Sequence, residues 1–232
     1  MEQKNITIGP EIFAVCPEFH LAAIACEVMN SPYNAGLWQE IDAFSAQFAA
    51  TYKIEEINKR PAIHATREAY KKLGKDPNRY RPSAEALCRR ILKGQSLYQI
   101  NTLVDLINLV SLKTGYSIGG FDASGIVGDL RLGVGETGER FEAIGRGLLN
   151  IEGLPLYRDT VGGIGTPTSD EERTKIATDT SHLLVILNGY SGSEGLRDAV
   201  DYATDLLIRY VEAKQVKIEL RNVKGVIKLP QF

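Results

Sequence analysis

The sequence predicts an α+β fold. Segments with apolar residues at helical spacing and segments rich in β-branched residues both occur, but they do not follow the regular strand–helix–strand alternation of a parallel α/β protein. Hydrophobic residues make up 44% of the 232 residues and charged residues 24%. This composition is ordinary for a globular protein and argues against disorder, collagen or a coiled coil.

The N-terminal half is predicted to be mainly helical. Apolar residues recur at helical spacing after residue 36, Pro61 is suited to a first helical turn, and Asn101 or Thr102 can cap a further helix that Gly115 ends. The predicted elements are strands over 6–15 and 21–29 and helices over 36–52, 61–74, 83–94 and 101–115.

The C-terminal half begins with a glycine-rich region of short strands, over 117–121, 125–135, 141–144 and 154–160. A helix is predicted to start in the segment 166–173, with Thr168 and Glu171 as a capping box. A buried strand (183–187), an amphipathic helix (193–213) and an alternating strand (216–220) complete the prediction. We expect residues 1–54 to pack on a main domain of residues 55–232 as one continuous unit.

The formal net charge of −2 conceals a polarised distribution. Residues 59–93 contain eleven basic and three acidic residues, a balance of +8, so the remainder carries −10. A basic segment with interspersed tyrosines is suited to phosphates and unpaired bases, although a solvated charged face is the simpler interpretation. The predicted RNA-binding residues are Arg67, Tyr70, Lys71, Lys72, Lys75, Arg79, Tyr80, Arg81, Arg89 and Arg90.

No metal or cofactor site is predicted. The three cysteines (Cys16, Cys26 and Cys88) form no CxxC pair, and the three histidines are scattered. The longest purely apolar run, residues 183–187, is too short to span a membrane, and no signal peptide is visible. We therefore expect a cytoplasmic protein with reduced thiols and no membrane partner.

Two blocks carry a family resemblance. The stretch INTLVDLINLVSLKTGYSIGGFD (100–122) resembles a signature of the B3/B4 editing domain of the bacterial phenylalanyl-tRNA synthetase beta chain. The stretch YRDTVGGIGTPTSDEERTKI (157–176) is similar to that domain's later strand, Gly-Gly turn and following segment. The resemblance covers about residues 55–220 and implies a B3/B4-like fold, with a mixed or antiparallel sheet flanked by helices.

The resemblance also implies a function. In the synthetase this domain binds the acceptor end of tRNA and hydrolyses a wrongly attached amino acid. Nothing in the sequence resembles an ATP-binding aminoacylation core, so we expect a hydrolase acting in trans on misacylated aminoacyl-tRNA, and not a ligase. An aminoacyl-tRNA synthetase is a further potential partner, and the oligomeric state is left open.

Three positions depart from the family pattern. The family has a histidine, a threonine and a glutamate where this chain has Gly119, Ile107 and Ile164. We therefore do not expect this chain to share the family's specificity for tyrosine. Either its substrate carries another aminoacyl group, or the domain has kept its fold and lost the hydrolytic activity.

Hydrolysis of an aminoacyl ester needs a positioned water, donors for the oxyanion and a pocket that sorts side chains. Asp122, Asn101 and Asp105 are the predicted catalytic residues, although a turn role, a helix cap and an acid that complements the helix dipole explain them in turn. The predicted pocket residues are Gly119, Gly120, Arg158, Asp159, Gly162, Gly163, Ile164, Thr166, Thr168, Ser169 and Asp170. Glycines there would let backbone N–H groups approach the ester, although tight turns alone also account for them.

Two alternatives remain open. One is a non-catalytic tRNA- or RNA-binding module, which the basic segment predicts equally and the three departures favour. The other is a binder or hydrolase of small amino-acid derivatives, which would not need the basic segment.

Overall fold

The structure is a computed structural model that describes residues 4–222 and 224–227. It contains a five-stranded sheet in the order β11-β10-β2-β9-β3, a four-stranded sheet in the order β1-β4-β7-β8, and a small hairpin, β5-β6. The strands are β1 (Ile6–Ile8), β2 (His20–Glu27), β3 (Ile118–Asp122), β4 (Leu130–Val134), β5 (Glu142–Ala143), β6 (Gly147–Leu148), β7 (Pro155–Arg158), β8 (Gly163–Gly165), β9 (His182–Gly189), β10 (Lys214–Asn222) and β11 (Gly225–Ile227). The helices are α1 (Pro10–Val15), α2 (Ala35–Thr51), α3 (Pro61–Lys72), α4 (Ser83–Leu92), α5 (Thr102–Thr114) and α6 (Leu196–Val211), with 3-10 turns at Ile54–Lys59, Ala123–Gly125 and Glu172–Thr174.

The five-stranded sheet is antiparallel and lies between two layers. Its strands β2 and β9 pair along their full length, from His20 opposite Gly189 to Glu27 opposite His182. Both strands read as nearly continuous apolar runs because both faces of the sheet are covered. Alternate residues such as Ile24 and Val185 join the core under the helices, whereas Ala23 and Ile186 join the core shared with the second sheet.

The second sheet is mixed. Strand β1 pairs in parallel with β4, whereas β7 is antiparallel to both β4 and β8. A buried hydrogen bond links the two sheets, in which the Tyr157 hydroxyl donates to Asn188 Oδ1 at 2.6 Å. The α+β class and the mixed and antiparallel sheets flanked by helices are as the sequence predicts.

Helix α5 is the element that positions the candidate site. The Asn101 side chain caps it by accepting from the backbone N–H of Val104 at 3.1 Å, and Gly115 ends it with a φ of 82°. The sequence signals at both ends are thereby confirmed. The helix is largely buried and packs against α6 and β3, which places Ile107 beside Gly120 of β3.

Two predicted elements are wrong. Residues 10–15 form helix α1 and not a strand, with Pro10 at the first helical position, where a missing N–H costs nothing. The segment after Thr166 does not form an α-helix, and the predicted capping box is absent there. The Thr166 hydroxyl instead accepts from the N–H groups of Thr168 and Ser169, which bends the chain back into a bridge between Gly165 and Asp170.

Candidate functional site

A cavity of about 130 Å³ lies between α5, β3 and the segment 166–176. Its lining is mixed, with aliphatic side chains on one part and small polar side chains on the other. The lining residues are Ser83, Val104, Ile107, Asn108, Ser111, Ile118, Gly120, Thr166, Ser169, Asp170 and Ile176. The two blocks that carry the family resemblance therefore meet at this cavity.

Asp170 is the carboxylic acid of this cavity. Its Oδ2 lies 3.5 Å from the backbone N–H of Gly120, a long hydrogen bond, and no cation pairs with it among the described residues. Burial of the carboxyl raises the pKa of Asp170 to about 8, and the Gly120 N–H only partly opposes this shift. Asp170 is therefore mainly protonated at neutral pH, so its carboxyl can donate a hydrogen bond.

The bridge that holds Asp170 depends on a glycine. A Cβ at Gly165 would lie 2.7 Å from Asp170 Oδ1 and 2.6 Å from the Phe121 ring. Only glycine allows the two segments to approach this closely, so Gly165 fixes the position of the carboxyl. No signal in the sequence distinguished Gly165 from the other glycines of this region.

The other polar groups of the cavity divide into two kinds. Ser111 donates to the Tyr116 carbonyl at 2.6 Å, and the Thr166 hydroxyl donates to the Ser169 carbonyl at 3.0 Å. In contrast, the side chains of Ser83 and Asn108 make no hydrogen bond within residues 4–222 and 224–227. Ser83, Asn108 and Asp170 are thus the side chains with hydrogen-bonding capacity left for a bound molecule.

A groove lined by cations continues from this cavity. A depression of about 310 Å³ shares Ser83 and Asn108 with the cavity, and a second depression of about 500 Å³ shares Arg81 and Arg146 with the first. We call them together the basic groove. No acidic residue of the described chain lines it, and its cations are Arg79, Arg81, Arg89, Arg90, Lys93 and Arg146.

The acid nearest to these cations is buried beneath them. Glu85 is 1% exposed and bonds both Arg67, at 2.8 Å, and Arg89, at 2.8 Å. Arg89 is therefore held in place by an ion pair, whereas Arg79, Lys93 and Arg146 are exposed without an acidic partner in the described chain. The groove keeps a net positive charge.

Aromatic rings also lie along the groove. Tyr98 is 56% exposed, and the Arg90 guanidinium lies 3.7 Å from its ring centroid. Tyr80 lies at the other end of the groove, with the Lys75 ammonium 3.9 Å from its ring centroid. Cations beside partly exposed rings are suited to unpaired bases and phosphates.

The predicted RNA-binding residues divide accordingly. Arg79, Tyr80, Arg81, Arg89 and Arg90 line the basic groove. Lys71 and Lys72 are exposed on α3 outside it, where Lys71 pairs with Glu68 and Lys72 donates to the Val15 carbonyl.

The remaining three do not offer a surface to RNA. Arg67 is buried and bonds Glu85, the Tyr70 hydroxyl bonds Thr168 in the interior, and the buried Lys75 donates to the carbonyls of Asn150 and Glu152. Sequence proximity to other cations did not separate these structural residues from the exposed ones. Arg146 was missed because it reaches the groove from the β5–β6 hairpin, far along the chain.

The three predicted catalytic residues lie outside the cavity and have structural partners. Asn101 caps α5. Asp105 accepts from the Trp38 indole at 2.8 Å and from the Ile100 N–H at 2.9 Å. Asp122 accepts from the Ser124 N–H at 2.9 Å and the Thr180 hydroxyl at 2.8 Å. Asn101 therefore acts as a helix cap and Asp122 as a turn residue, whereas Asp105 is held by Trp38 and the Ile100 N–H.

Of the predicted pocket residues, Gly120, Thr166, Ser169 and Asp170 line the cavity, and Thr168 lines the basic groove. Gly119 packs against Phe121, and Ile164 is fully buried in the core between the sheets. Gly163 is also buried, and a Cβ there would lie 3.0 Å from Phe141.

Arg158 and Asp159 are neighbours in the sequence but do not pair with each other. Arg158 pairs with Glu139, and Asp159 pairs with Arg173 at 2.9 Å. Asp159 also accepts from the Gly162 N–H at 3.1 Å, so it organises the Gly-Gly turn.

Other site types find no support in the described residues. No group of three or more His, Cys, Asp or Glu side chains is placed to hold a metal ion. No helix in the described ranges combines the length and apolarity needed to cross a membrane.

Comparison with solved structures identifies a similar fold. The chain is similar to an N-terminal fragment of the phenylalanyl-tRNA synthetase beta-subunit from Pyrococcus horikoshii, with a TM-score of 0.53 and 14% sequence identity. The match covers 99% of this chain and 55% of that fragment, so the chain corresponds to about half of its relative. Comparison with curated proteins gives no match.

The comparison with protein-family models shows which family the chain belongs to. Residues 65–212 match the model of the B3/4 domain. These residues include the whole lining of the cavity and every cation of the basic groove. The chain therefore belongs to the B3/4 domain family.

Proposed function

We propose that this protein hydrolyses the ester of a misacylated aminoacyl-tRNA in trans, with the acceptor end in the basic groove and the aminoacyl group in the cavity. The observation that supports this most is the continuity of the two spaces. A small cavity with unpaired polar groups opens beside a groove that carries positive charge, the exposed ring of Tyr98 and the half-buried ring of Tyr80. That arrangement is suited to a single-stranded polyanion that ends in a small polar group.

The protein of similar fold is named as a subunit of a tRNA synthetase, and this chain belongs to the B3/4 domain family. We therefore consider tRNA the RNA to test first. A small free amino-acid derivative would fill the cavity but would leave the basic groove without a role.

The chemistry assigned to the site is modest, because an aminoacyl ester is already activated. A water attacks the carbonyl carbon, the bond from this carbon to the ribose oxygen breaks, and the proton that the water loses passes to that oxygen with the help of the vicinal ribose hydroxyl. The negative charge that develops on the carbonyl oxygen needs a donor, which the protonated Asp170 carboxyl can supply.

A panel of mischarged tRNAs tests the proposal. We expect loss of the ester for at least one aminoacyl-tRNA, and expect the Asp170→Ala variant to slow that loss by about 10²-fold, as for removal of one oxyanion donor. Asp122→Ala serves as a control that should keep the rate, provided that the variant is folded. Hydrolysis that is unaffected by Asp170→Ala would contradict the assignment of this cavity.

A non-catalytic RNA-binding module is the second candidate. It is favoured by one observation: the three carboxylate and amide residues expected to be catalytic are all held in structural hydrogen bonds. Retention of tRNA binding without turnover of any member of the panel would establish this alternative.

A further inference from the structure

We infer that the cavity accepts an aminoacyl group whose side chain is no larger than that of threonine, and that it excludes aromatic side chains. This inference rests on the proposed function and specifies the substrate class for the same site. It is carried by the size of the cavity, by the residues that close it and by the polar groups left unpaired within it.

The size of the cavity sets an upper limit. A cavity of about 150 Å³ is the size that holds one benzene molecule. The cavity here is about 130 Å³ and must hold the α-carbon, the amino group and the attacking water as well as the side chain. A phenyl or phenol ring together with those groups exceeds this space.

The walls that limit the size are aliphatic side chains on well-packed elements. A Cβ placed on Gly120 would lie 2.7 Å from Ile107 Cδ1 and 3.1 Å from Ile176 Cδ1, so both side chains already approach β3 closely. Ile107 is 8% exposed and belongs to the core under the helices. The cavity therefore cannot enlarge at this wall without displacing core side chains.

The polar wall favours a small polar side chain over an equally small apolar one. Ser83 and Asn108 line the cavity with unused hydrogen-bonding capacity, whereas the Asp170 carboxyl is taken by the developing oxyanion. An apolar group pressed against them would leave these groups unpaired, which is costly. Serine and threonine side chains can hydrogen-bond to them, so we expect seryl and threonyl esters to be preferred over alanyl and valyl esters.

One tRNA charged with different amino acids by an acylating ribozyme isolates the side chain as the variable. We expect seryl and threonyl esters to be hydrolysed at least about tenfold faster than tyrosyl and phenylalanyl esters, relative to the spontaneous rate of each. Equal or faster hydrolysis of the aromatic esters would overturn the inference while leaving the proposed function intact.

A second measurement applies if no ester is hydrolysed, an outcome that would reject the proposed function. Calorimetry with non-hydrolysable amide analogues of 3′-seryl- and 3′-tyrosyl-adenosine then reports on the cavity alone. Preferential binding of the seryl analogue would support the inference. Binding of neither analogue, or preference for the tyrosyl analogue, would overturn it.

An enlarged cavity gives a matched test. Ile176 is half-buried, so Ile176→Ala enlarges the cavity without emptying the core, and it should raise the rate for tyrosyl relative to seryl esters by about tenfold. Ile218 on β10 is also half-buried but does not line the cavity, and Ile218→Ala should leave this ratio unchanged. An unchanged ratio in Ile176→Ala, in a folded variant, would contradict the assignment of this wall.

Discussion

Asp170 differs from the other acids at or near the site in having no cation to stabilise its charge. Glu85 is buried and bonds Arg67 and Arg89, whereas the half-buried Asp170 has only the Gly120 N–H at 3.5 Å. Burial raises the pKa of Asp170 to about 8, so its carboxyl stays neutral across most of the neutral range. This difference gives Asp170 two measurable consequences, one for the rate and one for stability.

The first consequence is a pH-dependent rate. If the neutral carboxyl donates to the oxyanion, enzymatic hydrolysis, divided by the spontaneous rate, should be constant below about pH 8 and fall as Asp170 ionises above it. Asp170→Asn keeps an N–H donor that does not titrate, so its normalised rate should lack that fall. A profile that rises through pH 8 in the wild-type protein would indicate that the carboxylate acts as a base.

The second consequence is a pH-dependent stability. The pKa of Asp170 is raised in the folded protein, so the native state keeps a proton that the unfolded chain releases above its ordinary value of 3.8. The free energy of unfolding of the wild-type protein should therefore fall, relative to that of Asp170→Asn, between about pH 4 and 8. The decrease is at most about 1.4 kcal/mol per pH unit.

Urea unfolding of both proteins at several pH values measures this difference, because every other titrating group is common to the two. The difference should stop changing above about pH 8, where the native carboxyl has also lost its proton. A constant difference from pH 4 to 8 would mean that Asp170 is ionised in the native protein.

At the scale of elements, α4 and the β5–β6 hairpin supply the two sides of the basic groove. Lys93 follows the last turn of α4, and Arg146 lies in the hairpin turn. Neither has an acidic partner in the described chain, so their charges are available to phosphates.

Charge reversal tests this assignment. Lys93→Glu and Arg146→Glu should each weaken tRNA binding. Each should also reduce the salt dependence of the affinity, because about one counterion fewer is released for each phosphate that the protein no longer neutralises. Lys71→Glu, an exposed reversal on α3 outside the groove, is the matched control and should have a smaller effect. If Lys71→Glu weakens binding as much as the groove variants do, the RNA path runs over α3 instead. Binding titrations at several salt concentrations distinguish these outcomes.

The sequence predicted the elements whose ends are set by nearby residues. It did not predict the conformation of segments that depend on contacts with residues far along the chain. The ends of α5 were predictable because Asn101 caps it and Gly115 adopts a left-handed conformation, both properties of nearby residues. The segment after Thr166 looked like a helix start, but Asp170 bridges to Gly165 and Glu171 bridges to Ala143. A bridge to Ala143 leaves no pattern in the residues around Glu171.

The site was predicted in part for the same reason. The pocket residues that proved to line the cavity, such as Gly120 and Asp170, belong to the two blocks that resemble the family. The predicted catalytic residues lie elsewhere because capping and turn asparagines and aspartates have the same sequence signature as functional ones. Arg146 could not be predicted because only the folded hairpin brings it beside α4.

At the scale of the whole molecule, the positive charge on the surface is smaller than the distribution of charged residues in the sequence indicates. The +8 balance of residues 59–93 includes Arg67 and Lys75, which are buried and bonded to protein groups. Arg79, Lys93 and Arg146, which are exposed without an acidic partner in the described chain, all line one groove, and Arg146 comes from outside that segment. The positive surface that adjoins the site is therefore narrower than a uniformly basic face.

This confinement predicts how much of a tRNA the protein reads. The groove adjoins the cavity directly, so its cations should contact nucleotides close to the ester and not the distant parts of the tRNA. We expect an acylated minihelix of the acceptor stem to be hydrolysed with a kcat/KM within about tenfold of that of the full tRNA. The matched control is the same minihelix without its single-stranded 3′ end, so that the aminoacyl nucleotide is joined directly to the duplex. This control should be a poor substrate, because no unpaired nucleotides remain to fill the groove. Strong dependence on the full tRNA would show that recognition extends beyond the groove to other surfaces of the protein.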